Sequence, residues 1–245
     1  MLSGTANPEA LAAGAPYVTA LATEPLVCRG VDLLQAVYEV HSASRLDLLP
    51  PALHPVNPPA ITLTVFTARE SEAGPFALAE TRIVCRSGVR SRGFQVSCFV
   101  QGAEAGRLLA DRWGYRADEA EIDVRLRHLG ASAVVRRGGR PVLDLRMLHP
   151  QAISAADVQF TDTMQLARLP GGSRLVQVER AYAIASVERG RPSLPVFDAA
   201  AWGEPRLRPT QPVSALALTG ELTIRPVRYV CRADISAFEG TERVG

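Results

Sequence analysis

The sequence predicts a mainly β, α+β-type fold of antiparallel strands, closed as a barrel or packed as a sandwich. Three observations predict it. Apolar and polar residues alternate with period two over most of the chain after residue 26, the mark of strands with one buried face. Glycine-bearing turn signals recur between these runs. Helical periodicity is confined to a few short stretches.

The elements follow in order. Residues 1–26 are rich in Ala, Gly, Pro and Thr without sustained periodicity, and read as an N-terminal arm. Residues 27–245 read as one domain. Ser42 is placed to cap a helical turn that Pro50-Pro51 stops near Leu49. Ile61 to Thr67 is the clearest strand, apolar at 61, 63 and 65 with Thr at 62 and 64 between them. A longer turn is expected between Ser87-Gly88 and Arg92-Gly93. Phe94, Val96, Cys98 and Val100 are then expected on one face, opposite Gln95, Ser97 and Phe99. Residues 103–113 suit one or two helical turns before Trp113-Gly114. Ala120, Ile122, Val124 and Leu126 alternate with Glu121, Asp123, Arg125 and Arg127, a strand whose charged face must be wet. Gly138-Gly139 is a two-residue hairpin signal, since both positions tolerate positive φ. Residues 188–192 (Glu-Arg-Gly-Arg-Pro) suggest a third reversal, and residues 215–218 with 222–224 a fourth strand pair. The proline-rich stretches 50–59 and 205–212 are short enough to be ordered loops.

Composition bounds the function. A chain of 245 residues with 47% hydrophobic content suffices for one substantial core. The net charge of +2 offers no field for nucleic acid or an anionic membrane. All 27 basic side chains are arginines. High Ala and Arg without Lys reads as the coding bias of a GC-rich genome, but the chemical consequence holds whatever the cause. Guanidinium groups stay charged, are poor nucleophiles, and grip carboxylates in a planar fork. The first 28 residues carry no basic side chain, so a secretory n-region is missing. No apolar run approaches the ~20 residues that span a bilayer. Cys28, Cys85, Cys98 and Cys231 form no metal spacing and read as reduced thiols, so a cytoplasmic setting is expected. His41, His54, His128 and His149 are scattered, and neither a metal nor a cofactor is expected.

Four segments together resemble the acetoacetate decarboxylase family. Residues 34–40 (LQAVYEV) with 48–53 (LLPPAL) are similar to its opening strand and "LLPPxL" turn. Gly74-Pro75-Phe76 with Glu80 is similar to its "GPY" followed by an acid. Trp113-Gly114-Tyr115 is similar to its "WGYPKK" segment, and residues 212–231 to its closing strands. The resemblance runs from about residue 30 to about 240. It implies an acetoacetate decarboxylase-like closed antiparallel β-barrel with flanking strands and few short helices. It also implies a small-molecule substrate in the barrel interior and a homo-oligomer.

One departure is chemical. That family condenses a lysine amine with a β-keto acid to draw electrons from the breaking carbon–carbon bond. Here the residues after Tyr115 are Arg116-Ala117-Asp118, and no lysine exists elsewhere. The α-amine of Met1 is the one primary amine left.

The site candidates follow from this. Glu80 is the leading catalytic carboxylate, with raised proton affinity if it lies in an apolar interior; otherwise it is an edge acid paired with Arg82 or another arginine. Arg116 is the second catalytic candidate, holding a substrate carboxylate or enolate, or else a solvated loop charge. Arg29, Trp113, Tyr115 and Gln177 are substrate-binding candidates. Arg86, Arg90 and Arg92 crowd one turn, and Arg136, Arg137 and Arg140 another. They suit an anionic partner or simply soluble edges. The expected function is acid/base chemistry of lyase, isomerase or cyclase type on a β-keto or polyketide-like substrate in secondary metabolism. The alternatives are a non-catalytic binding barrel and a lysine-independent decarboxylase.

Overall fold

The computed structural model describes residues 2–244. Its strands are β1 (Leu26–Glu39), β2 (Leu53–Pro55), β3 (Ala60–Glu70), β4 (Phe76–Ser87), β5 (Arg90–Gln101), β6 (Asp118–Glu119), β7 (Glu121–Arg127) and β8 (Gly130–Arg137). They continue as β9 (Arg140–Ala152), β10 (Thr163–Leu169), β11 (Gly172–Val178), β12 (Arg180–Phe197), β13 (Pro212–Ile224), β14 (Tyr229–Arg232) and β15 (Thr241–Arg243). The helices are short: α1 (Pro8–Ala12), α2 (Ser42–Leu46), α3 (Ala103–Trp113) and α4 (Ala237–Gly240). None of them is long and apolar enough to cross a membrane.

One sheet runs in the order β15-β14-β11-β10-β5-β4-β3-β1-β13-β12-β9-β8-β7, with β2 beside β4 and β6 beside β5. Its pairs are antiparallel except β10 and β6 against β5. No ladder joins the two ends of this path among the described residues, so the hydrogen bonds leave the sheet open rather than closed as a barrel. The end strand β7 buries Ile122, with Val124 and Leu126 partly covered, against the core that β1, β3 and β4 share, and turns Glu121, Arg125 and Arg127 to solvent. Packing of an apolar face, not a ladder, is what covers this end.

The alternation sorts side chains into two apolar clusters. Leu34, Ala36, Leu63, Val65, Ala79, Ile83 and Phe99 join residues of β7, β8 and β9 and Trp202 in one. Leu33, Phe66, Leu78, Cys98 and Val100 join α3, Tyr115, β11 and β13 in the other. Each fully buried Leu or Ile stabilises by roughly 1.5–3 kcal/mol relative to exposure. The four cysteines are buried and unpaired.

Several turn expectations are corrected. The β4–β5 hairpin reverses tightly at Gly88-Val89, because Ser87 already faces Arg90. Arg92-Gly93 therefore lies within β5. Residues 188–192 make no reversal; they continue β12, with Pro192 paired to Met147 and a register shift at Gly190 where β9 carries the extra residue. Residues 215–224 form one strand, β13, rather than a pair. In β5 a bulge leaves Val96 unpaired between Ser97, opposite Thr81, and Gln95, opposite Arg82. Phe94 consequently sits in the cluster of Phe99, while Cys98 and Val100 occupy the other face. Gly138 and Gly139 do form the expected hairpin, at φ 54° and 75°. The segment before β1 is tied down rather than free. Its backbone bonds to Leu49, Leu53, Arg112 and Arg168, and Val18 is fully buried.

Candidate functional site

The site begins with a register. Gln35, Thr64, Glu80 and Cys98 stand side by side across β1, β3, β4 and β5. Thr62, Arg82 and Gln95 form the next row. Alternation places both rows on the face that carries Phe66 and Leu78. The Val96 bulge turns Gln95 onto this face and not onto its expected one.

Glu80 is wholly shielded from solvent. Arg180, the first residue of β12, donates to it from Nη1 at 2.6 Å and from Nη2 at 3.1 Å, a bidentate pair. Gln95 Nε2 donates at 2.7 Å, and Arg82 Nε lies 3.4 Å away. Arg180 also donates from Nε at 3.2 Å and from Nη2 at 2.7 Å to the Tyr115 hydroxyl. Arg82 is itself buried. It donates from Nη1 to the Thr161 carbonyl at 3.0 Å and Thr163 Oγ1 at 3.1 Å, and from Nη2 to Thr64 Oγ1 at 3.3 Å. Gln35 Nε2 donates to that same threonine oxygen at 2.9 Å.

Burial pushes the Glu80 carboxyl toward protonation, but the Arg180 and Arg82 charges and the donors of Arg180 and Gln95 outweigh it. Its proton affinity is therefore lowered, opposite to the rise expected from an apolar interior alone. Burial raises the Tyr115 phenol despite Arg180, and it raises the Cys98 thiol with help from Glu80. Both stay protonated near neutrality. Two buried guanidinium groups face one carboxylate, so this cluster carries a net single positive charge. Such clusters contribute little stability relative to apolar packing and are strongly destabilising when one partner is removed.

A cavity of about 100 Å³ touches the network at Gln95. Gln165, Phe94 and Gly114 line it further in, and Arg116, Leu11 and Ala15 also border it. The Gln165 side chain is buried, and its Nε2 donor has no partner among the described residues. Gly114 ends α3 in the left-handed region at φ 75°, its N–H bonded to Ala110 and Leu109 carbonyls. A Cβ there would lie 2.8 Å from that of Ala167. Only glycine allows α3 to stop this close to β10 and point Tyr115 inward.

The other expected residues are placed as follows. Trp113 is buried, and its indole donates to the Arg225 carbonyl at 2.8 Å. It belongs to the same apolar cluster as Tyr115 and does not line the cavity. Arg116 is solvent-exposed at the cavity border. Arg29 is exposed and paired with Glu70 at 2.8 Å. Gln177 donates to Glu179 at 3.1 Å and faces a different crevice. The structure thus brings Glu80 and Tyr115 together and leaves Arg29 and Gln177 outside the cluster. The Met1 amine lies outside the described residues.

Arg180, Gln95 and Gln165 were not singled out by the sequence. Arg180 had a readable signal: it interrupts the apolar register of Val176, Val178, Tyr182 and Ile184. Gln95 had none, because nothing local announces the bulge.

No protein-family model matches the chain, and no curated protein matches it. Solved structures do. An acetoacetate decarboxylase from Legionella pneumophila superposes with a TM-score of 0.75 at 16% identity, covering 83% of this chain and 86% of that one. The enduracididine biosynthesis enzyme MppR, complexed with pyruvate, gives 0.69 at 14% identity over 84% and 90%. An acetoacetate decarboxylase-like enzyme from Sphingomonas wittichii RW1 gives 0.64 at 17% over 82% and 91%. The chain shares the acetoacetate decarboxylase fold.

Proposed function

We propose that this protein is a small-molecule enzyme that performs acid/base chemistry on a compact keto acid without an amine. The observation that carries the reading is the Glu80–Arg180–Arg82–Tyr115 cluster: buried, one positive charge in excess, and reached from a cavity through Gln95, the member of the network that lines it. Buried perturbed charges beside a cavity are a functional-site signature. The excess charge favours an anionic ligand.

The chemistry follows from exchange of partners. A substrate carboxylate or enolate entering past Gln95 competes with Glu80 for Arg180. Glu80 then keeps its burial but loses its strongest counter-charge, and its proton affinity rises. It becomes able to take a proton from the carbon beside the keto group. Arg180 and the Tyr115 hydroxyl hold the charge that develops on oxygen. Arg116, at the cavity border, is suited to guiding an anion inward. Enolisation of this kind is the common first step of isomerisation, dehydration and cyclisation. The whole cavity equals about three water volumes, so a ligand the size of pyruvate or acetoacetate fits better than a polyketide chain. The pyruvate bound to MppR is of that class.

The test is deuterium exchange at the pyruvate methyl in heavy water, followed by proton NMR. Wild type should accelerate exchange. The charge-neutral double variant Glu80→Gln/Arg180→Met and the single variant Tyr115→Phe should lower the rate by about a hundredfold and tenfold. Saturable pyruvate binding without exchange would replace this reading with that of a binding protein, which the firmly ionised Glu80 of the free protein would also suit.

A further inference from the structure

A second crevice shares no lining residue with the cavity at Gln95. It lies between the β4–β5 hairpin and α4, and its volume is about 270 Å³. Its chemistry is one-sided. Arg90 and Arg92, two apart on β5, both line it, together with Gln177, Tyr229 and Thr241, and no Asp or Glu does. Arg92 is only 6% exposed, and its Nε has no partner. Its Nη1 donates to the Ser91 carbonyl at 2.9 Å and lies 3.4 Å from Asp162, an acid that is itself partly solvated. Burial lowers the proton affinity of Arg92, Asp162 raises it, Arg90 lowers it again, and Glu179, which lies behind Gln177 and outside the lining, raises it more weakly. A buried guanidinium with an orphaned donor and a like charge beside it is incompletely satisfied.

The rim is apolar. Val89 and Phe238 line the crevice and are 81% and 70% exposed. The two side chains together give the crevice an apolar edge open to water. Phe238 lies over the hairpin turn, close enough that a Cβ on Gly88 would touch its ring at 3.4 Å. The crevice thus offers a cationic floor beneath two apolar lips.

We infer that this crevice is a second ligand site, for a small carboxylate with an apolar body. The carboxylate meets Arg92 and Arg90, whose planar forks match it. The body lies between Val89 and Phe238. Gln177, placed by sequence among the substrate-binding candidates, belongs to this crevice and not to the cavity at Gln95.

Hexanoate is the probe, with hexanol as its neutral counterpart, measured by isothermal titration calorimetry on the full chain. One hexanoate should bind per chain, and hexanol at least tenfold more weakly. Arg92→Met should raise Kd at least tenfold, and the exposed-site variants Arg90→Gln and Phe238→Ser about three- to tenfold each. The two exposed-site variants keep the test valid if Arg92→Met fails to fold. Gln165→Leu, in the other cavity, should leave Kd unchanged. No hexanoate binding, equal hexanol binding, or sensitivity to Gln165→Leu but not to Arg90→Gln and Phe238→Ser would overturn the assignment.

Discussion

The two faces of β3, β4 and β5 are built from the same strands but to opposite ends. One face presents Leu63, Val65, Ala79, Ile83 and Phe99 and packs against β7, β8 and β9. The other presents Thr62, Thr64, Glu80, Arg82 and Gln95; Arg180, Thr163 and Gln35 bond to Glu80, Arg82 and Thr64, while the Thr62 hydroxyl and Arg82 Nε have no hydrogen-bond partner among the described residues. Both faces are dry. The first gains stability from transfer and dispersion. The second offsets a large desolvation cost with ion pairs and gains little net. It is this second face that the proposed function uses.

The largest expected effect breaks the second face. Glu80→Gln leaves Arg180 and Arg82 without their counter-charge and should destabilise by about 3–5 kcal/mol in urea denaturation. Arg180→Met in the same background should recover much of that loss, because the buried charge is removed with its partner. On the first face, Leu63→Ala should cost about 2–5 kcal/mol through its cavity and leave the pyruvate exchange rate per folded molecule unchanged. Gly114→Ala forces a left-handed alanine, about 1–2 kcal/mol before the contact with Ala167 is counted. It should also reduce exchange by displacing Tyr115. Arg29→Ala removes an exposed pair more than half solvated and should change stability by about 0–1 kcal/mol, with no effect on exchange.

The pH dependence sharpens the same contrast. The folded Glu80 carboxyl has lowered proton affinity, so its contribution is fully present above the unfolded carboxylate value of about 4.3. It is lost as pH falls through the lower folded value. Thermal unfolding of wild type should therefore weaken below about pH 4, and the double variant Glu80→Gln/Arg180→Met should lose that part of the acid sensitivity.

Sequence legibility divides along the same line. Period-two alternation located β3, β5 and β7, and the glycine pair located the β8–β9 hairpin, because these signals are local. A helix before Gly114 was likewise readable from residues 103–114, although α3, at 11 residues, is longer than the one or two turns expected. Closure was not readable, since β7 ends the sheet by packing rather than by a ladder. Within the site, Glu80 and Tyr115 stood out by resemblance, but the sign of the Glu80 shift did not. That sign depends on Arg180, a hundred residues away and positioned by the β12–β13 pairing. Gln95 depends on a bulge that alternation alone cannot register. Arg29 and Gln177 were expected as polar residues lining a barrel, and neither strand register brings them to Glu80.

The central claim is that an incoming anion takes Arg180 from Glu80 and so changes the carboxyl's proton affinity. Carbon-13 NMR of glutamate-labelled protein, titrated with and without saturating pyruvate, measures this directly. The free protein should show the Glu80 carboxyl ionised at every pH above 4, and pyruvate should move its titration upward by at least one pH unit. A Glu80 signal already protonated at pH 7 in the free protein, or one that saturating pyruvate leaves unmoved, would contradict the account.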